Sequence, residues 1–254
     1  MNLYLWLNIL IILFPLLLSF DKKVAFYRRW PAVLPAIGVV GVLYIVWDVF
    51  MSVRGSWGFN PRYAGGFRLF HLPAGEMLFF LTAPYSCLFI YEVVRSYFKE
   101  SALHVPRVVW WALAVVCTAA ALYFRSQTYT CTVLLSVALL FVLADILRGD
   151  LLQSRHFWLF LALSYLPFVL FNGLLTALPV VVYDAGAIWG IRVYTIPLED
   201  FLYSLSLLGF NALVYRLFVD RGRAGSSARG PGSQVRRSGS SGSSDGAGTE
   251  AGRG

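Results

Sequence analysis

Charge is scarce in this chain, and that limits its fold more than any motif does. Only 13% of its 254 residues are charged, while 58% are hydrophobic. A soluble domain carries about 25% charged residues. Several apolar runs approach the ~20 residues that a helix needs to cross a bilayer. The opening run MNLYLWLNILIILFPLLLSF has no basic stretch and no small-residue cleavage site, which predicts a retained helix and not a signal peptide. Seven spans are expected, at 3–19, 31–50, 75–94, 107–124, 128–145, 157–177 and 197–218. The fold class is an all-α integral membrane protein.

Loop charge sets the expected orientation. Lys22, Lys23, Arg28, Arg29, Arg95, Lys99, Arg107, Arg148 and Arg155 share one side with the arginines from Arg216 onward. Arg54, Arg62, Arg68, Arg125 and Arg192 occupy the other, a ratio of 16 to 5. The positive-inside rule then places the N-terminus outside and the C-terminus in the cytoplasm, in the cell (inner) membrane. Residues 221–254 are Gly, Ser and Arg with almost no apolar side chain, so the segment reads as a disordered tail. A basic cytoplasmic end explains that tail better than nucleic-acid binding does. Cys87, Cys117 and Cys131 lie in apolar runs without CxxC spacing or an adjacent His, so no metal site and no disulfide framework is expected.

An internal repeat organises the rest. At an offset of 124 residues, Asp21 falls on Asp145, Gly66 on Gly190, Arg68 on Arg192, Pro73 on Pro197 and Tyr91 on Tyr215. GGFRLFHLPAGEMLFF lies over WGIRVYTIPLEDFLYS without a gap, which pairs Glu76 with Asp200, Phe79 with Tyr203, and further back Asp48 with Asn172. The expected domains are a three-helix repeat in 1–100, a connecting helix in 101–126, a second three-helix repeat in 127–220, and the tail. Each repeat begins after an even number of crossings. The two therefore run parallel, about an axis near the membrane normal, as in some transporters.

Ionisable residues inside a span mark a functional site by default. The candidates are Asp48, Glu76, Glu92, Glu199 and Asp200. Taken alone, Glu199 and Asp200 behind Pro197 also describe an ordinary helix start. Adjacent residues project about 100° apart on a helix, so only one of them can face a cavity squarely. The repeat favours Asp200, whose counterpart Glu76 is acidic, whereas Glu199 falls on Gly75. Asn172 keeps a polar group at the depth of Asp48. Arg68 and Arg192 stand ready to hold the carboxylates or to pin their loops. Glu92 reads as a solvated helix end. Trp47, Phe79, Phe80 and Tyr203 cluster near the motifs; an interfacial aromatic belt explains many such residues, and a cavity of aromatic faces would also stabilise a carbocation. The sequence lacks GxGxxG after a strand, a Walker loop, GxSxG and paired DxxxD motifs, and no lysine lies in a span to form a retinal Schiff base.

LPAGEMLFFLTAPYSCLFIYE (72–92) and WGIRVYTIPLEDFLYSLSL (189–207) resemble the two repeat motifs of the small membrane-bound lycopene cyclases. The resemblance spans roughly 3–219 and implies the fused, two-repeat form. The first copy departs from the Pro-x-Glu-Glu/Asp signature, with Gly75 where the family has an acid. The resemblance implies redox-neutral closure of lycopene end groups into β-ionone rings through a carbocation, without a cofactor. Glu76, Glu199 and Asp200 become acid/base candidates with Asp48 in support. Trp47, Phe79, Phe80, Tyr203, Arg68, Arg192 and Asn172 become candidates for the substrate surface. The implied partners are lycopene and membrane lipid; self-association and contact with other carotenoid enzymes stay open. A carotenoid hydratase, a cyclase of longer carotenoids, and a small transporter or lipid-binding protein remain as alternatives.

Overall fold

A computed structural model describes residues 3–227. The remainder of the expected tail lies outside the described residues. Seven helices carry the fold: α1 (Leu3–Leu18), α2 (Trp30–Val53), α4 (Ala74–Tyr97), α5 (Arg107–Tyr123), α6 (Thr128–Leu147), α7 (Arg155–Ala177) and α8 (Leu198–Ser227). One further short helix, α3 (Pro61–Ala64), lies in a loop. Five helical segments are long and apolar enough to cross a membrane; α1 and α5 are shorter, at 16 and 17 residues. α8 extends past the expected end at 218 and into the segment read as tail. Arg148 pairs with Asp220 and Arg216 with Asp150, which fastens the last described turns of α8 to the α6–α7 loop.

Six short strands were not expected. β1 (Trp57–Phe59) pairs antiparallel with β4 (Val181–Tyr183); β2 (Arg68–Leu69) pairs with β3 (Leu72–Pro73), and β5 (Arg192–Val193) with β6 (Ile196–Pro197). Strands β1, β2 and β3 each lie 124 residues before β4, β5 and β6. In the β1–β4 ladder Gly58 faces Val182, Trp57 faces Tyr183, and Phe59 faces Val181. The two strands of this pair stand 124 residues apart in the sequence.

The two hairpins solve the same backbone problem twice. Phe70, His71 and Tyr194 adopt left-handed conformations without being glycine, which is uncommon for bulky side chains. Arg68 Nη1 donates to the His71 carbonyl at 3.4 Å, and Arg192 Nη1 donates to the Thr195 carbonyl at 2.7 Å, closing each turn from within. Pro73 and Pro197 then lead straight into α4 and α8, needing no amide donor at a helix start.

α4 and α8 occupy the centre, touching each other and α7; α2 packs on both, α1 on α4 and α6 on α8. α5 lies outside on α6. Large apolar side chains face outward around this bundle, Val42, Leu43, Val46, Val116, Leu122 and Leu166 among them. At the end away from the hairpins, aromatic residues fill the core, including Phe26, Phe89, Tyr91, Phe157, Phe160 and Tyr215. Glu92 is buried there, contrary to its expected place at a solvated helix end. It pairs with Arg95 at 2.6 Å and Arg29 at 3.4 Å, and accepts from Tyr215 Oη at 2.8 Å. α8 and the α1–α2 loop cover the carboxylate and supply the donors that burial requires. Asp145 is held likewise by Arg107 at 2.8 Å and Trp111 at 2.9 Å, which ties α5 to α6.

In the α4–α5 loop, Glu100 accepts from Ser154 Oγ at 2.6 Å and lies 2.9 Å from His156 Nδ1. Partial burial raises its carboxyl, but the donors on Ser154, the His156 amide and Ser101, with the His156 ring, hold it below its ordinary 4.5. A lowered folded value stabilises above the unfolded one and is lost as pH falls through it. Melting of the detergent-solubilised chain should therefore lose up to about 1 kcal/mol below pH ~4.5, the scale of an exposed pair. Glu100→Gln should remove that dependence.

Candidate functional site

Three carboxyl groups converge where α2 and α7 end and α4 and α8 begin. Asp200 accepts from Tyr129 Oη at 2.7 Å, from Asn172 Nδ2 at 2.8 Å and from Tyr183 Oη at 2.9 and 3.1 Å, so both of its oxygens face donors. Glu76 accepts from Tyr4 Oη at 2.5 Å. Asp48 accepts from Trp57 Nε1 at 2.6 Å and lines the same cavity as Glu76. Asp48 Oδ2 is buried and faces no donor. All three side chains are enclosed, with 2% of Asp48, 9% of Glu76 and 3% of Asp200 exposed.

The β1–β4 ladder supplies two of these donors. Trp57 and Tyr183 are ladder partners, and one reaches Asp48 while the other reaches both oxygens of Asp200. Tyr129 packs between them, 4.9 Å from the Trp57 ring and 5.8 Å from the Tyr183 ring. Two strands from opposite halves of the chain thus close this end of the bundle and hold the carboxyls apart.

The carboxyls line the closed end of a cavity of about 570 Å³, within the range of pockets that enclose a small ligand. Away from them its walls are almost wholly apolar. Along α4 the lining runs from Glu76 through Phe79, Ala83 and Cys87 to Ile90, about 21 Å at 1.5 Å per residue. Leu10 and Phe14 on α1 and Leu170 and Leu174 on α7 line it and are also exposed on the outer face of the bundle. The cavity is therefore a groove that opens sideways between α1 and α7, toward the surface that lipid would cover.

Of the residues singled out in the sequence, Asp48, Glu76, Asp200, Phe79, Asn172 and Tyr203 line this groove. Five do not. Glu199 points to the other face of α8, accepting from Thr130 Oγ1 at 2.6 Å and from the Trp189 amide at 2.5 Å; the 100° step between neighbours separates it from Asp200. Arg68 donates to the Phe59 and His71 carbonyls and Arg192 to the Thr195 carbonyl, so both arginines hold backbone and not the site carboxylates. Trp47 and Phe80 pack elsewhere: Phe80 against Tyr44, and Trp47 5.0 Å from Tyr203 and 5.3 Å from Tyr44. At the 124-residue offset Phe80 falls on Ser204 and Trp47 on Phe171, both groove-lining. The reading of the sequence missed Tyr4, Tyr129 and Tyr183. Tyr183 falls on Phe59 in the repeat, and the other two are spaced by 125 residues and not 124.

A family model described as lycopene cyclase matches residues 1–94 and 126–218. The matched segments take in both halves of the site and leave out α5. No curated protein and no solved structure matches the chain.

Gly75, the departure from the repeated acid pair, has a packing reason. A Cβ there would stand 2.6 Å from Cγ of Tyr4. Tyr4 packs closely on the first turn of α4, and glycine at 75 leaves its side chain room to reach Glu76. Overpacking of this kind costs about 1–3 kcal/mol. Gly75→Ala should lower the melting point of the detergent-solubilised protein accordingly, while Tyr4→Phe, which keeps the ring, should not clash.

Proposed function

The chain belongs to the lycopene cyclase family, and from that premise we propose that it is a lycopene β-cyclase. It closes the linear end groups of lycopene into β-ionone rings, to γ- and β-carotene, by acid/base chemistry alone. The observation that carries this reading is the placement of three buried carboxyls at the closed end of an apolar groove open to lipid. A long hydrocarbon could enter such a groove from the bilayer, end first, and meet its carboxyl groups there.

The chemistry needs few parts. A carboxyl gives a proton to the terminal double bond, whose π electrons form the new C–H bond and leave a tertiary cation. The neighbouring double bond attacks that cation and closes the six-membered ring, moving the positive charge one step along. A carboxylate then takes a proton from the adjacent ring carbon and restores a double bond. One proton enters and one leaves, so no redox partner is consumed. Phe79, Tyr203, Tyr183 and Trp57 line the space where the cation forms. Their ring faces attract positive charge, and exclusion of water protects the cation from capture.

The proposal extends to architecture. Seven spans, with α1 and α5 as short ones, form two parallel three-helix repeats joined by α5. The 124-residue recurrence of strands and helices and the self-matched β1–β4 ladder support this. Loop charge supports a site on the non-cytoplasmic side, in the cell membrane.

Expression in lycopene-accumulating bacteria should convert the red pigment to products carrying β-rings, identified by chromatography and mass. Persistence of lycopene despite verified membrane insertion would overturn the assignment. General acid–base groups contribute about 10²–10⁴-fold. Asp200→Asn and Glu76→Gln should each lower ring formation by at least ~100-fold, whereas Arg192→Lys, at the hairpin, should cost far less.

A further inference from the structure

The two halves place the same pair of positions together but not the same chemistry. In the second half Asn172, on α7, donates to Asp200, on α8. In the first half the positions 124 residues earlier are Asp48, on α2, and Glu76, on α4. There the amide donor has become a second carboxyl, and the two line one cavity, both buried.

Counting hydrogens separates the two pairs. Tyr129, Tyr183 and Asn172 all point donors at Asp200, and both its oxygens are occupied. Such a carboxyl rests as an acceptor-only anion, and three donor groups on about four lone-pair sites leave room to take up one proton. The Asp48–Glu76 pair receives one donor from Trp57 and one from Tyr4. Asp48 Oδ2 has none. Two carboxylates side by side repel, and they form a hydrogen bond only when a proton lies between them.

On the cyclase reading, we infer a division of labour: the Asp48–Glu76 pair holds and donates the proton that starts cyclisation, and Asp200 is the carboxylate that accompanies the cation and receives the proton at the end. Glu199, off the groove, takes no part in either transfer. Between turnovers Asp200 gives its proton up to water and the pair takes a fresh one from the same pool, so that each ring carries one solvent hydrogen.

Deuterium tells the roles apart. The full-length protein in lipid vesicles is given lycopene in D₂O, and both product and recovered lycopene are analysed by mass spectrometry. The unmodified protein should place one deuterium in each ring formed. Asp200→Asn should protonate the terminal alkene but fail to complete the ring. The proton then returns to the Asp48–Glu76 pair, and recovered lycopene gains label. Asp48→Asn turns the first pair into a copy of the second, so its recovered lycopene should stay unlabelled; Glu76→Gln should do the same. Retention of the bound-carotenoid absorption band checks that each variant is folded. Where Asp200→Asn fails to insert, Asn172→Asp serves instead: it neutralises Asp200 with a shared proton and leaves the first pair intact, so label should enter lycopene while ring formation falls. Unlabelled lycopene from a carotenoid-binding Asp200→Asn or Asn172→Asp protein, or labelled lycopene from Asp48→Asn, overturns the division. Absence of rings with the unmodified protein overturns the cyclase reading itself.

Discussion

A carboxyl group withdrawn from water must be given hydrogen-bond partners or a proton, and the functional end of this bundle is built around that demand. Removing an ion from water costs several kcal/mol even after the surroundings relax. Three such groups sit within one apolar enclosure. Tyr4, Tyr129, Tyr183, Trp57 and Asn172 all turn donors inward to meet them. The short β1–β4 ladder brings one donor from each strand to the site, Trp57 from β1 and its ladder partner Tyr183 from β4. Its neighbouring hairpins, each closed by an arginine, deliver the proline that starts a central helix and so fix where Glu76 and Asp200 enter the bundle.

Much of this frame is legible in the sequence. Scarce charge and the apolar runs gave the helices, and the 124-residue offset paired Glu76 with Asp200 and Asp48 with Asn172. Helical geometry correctly separated Glu199 from Asp200 in direction. The strands were not legible, because two or three residues of alternation carry no signal beside runs of twenty. Neither were the tyrosines. Tyr4 and Tyr129 sit one residue out of step with the repeat, a slip that a helix start tolerates but a fixed offset hides. Arg68 and Arg192 showed the opposite error: their recurrence was real, but it reflects two left-handed turns that need the same staple.

On the proposed two-repeat reading the halves are used unevenly. Both keep strand, hairpin, proline and acid at the 124-residue offset, yet the groove lies beside one of them. Beside the other, Tyr44, Trp47 and Phe80 pack together, with Phe80 at the offset position of the groove-lining Ser204. That packing gives the groove an aromatic wall, since Tyr203 touches both Trp47 and Tyr44. Packing of this kind is what holds helices together where lipid tails are as apolar as the side chains.

The shortness of α1 bears on how the groove would be reached. Its 16 residues extend about 24 Å, less than the ~30 Å of hydrocarbon in a typical bilayer. Lipid beside a short helix thins to keep its tails against apolar side chains. α1 forms one lip of the lateral opening, so the membrane would dimple at that lip. A long flexible hydrocarbon lying among the tails would then find its entrance at the shallowest part of the leaflet, with less distance to descend before its end reaches the carboxyls.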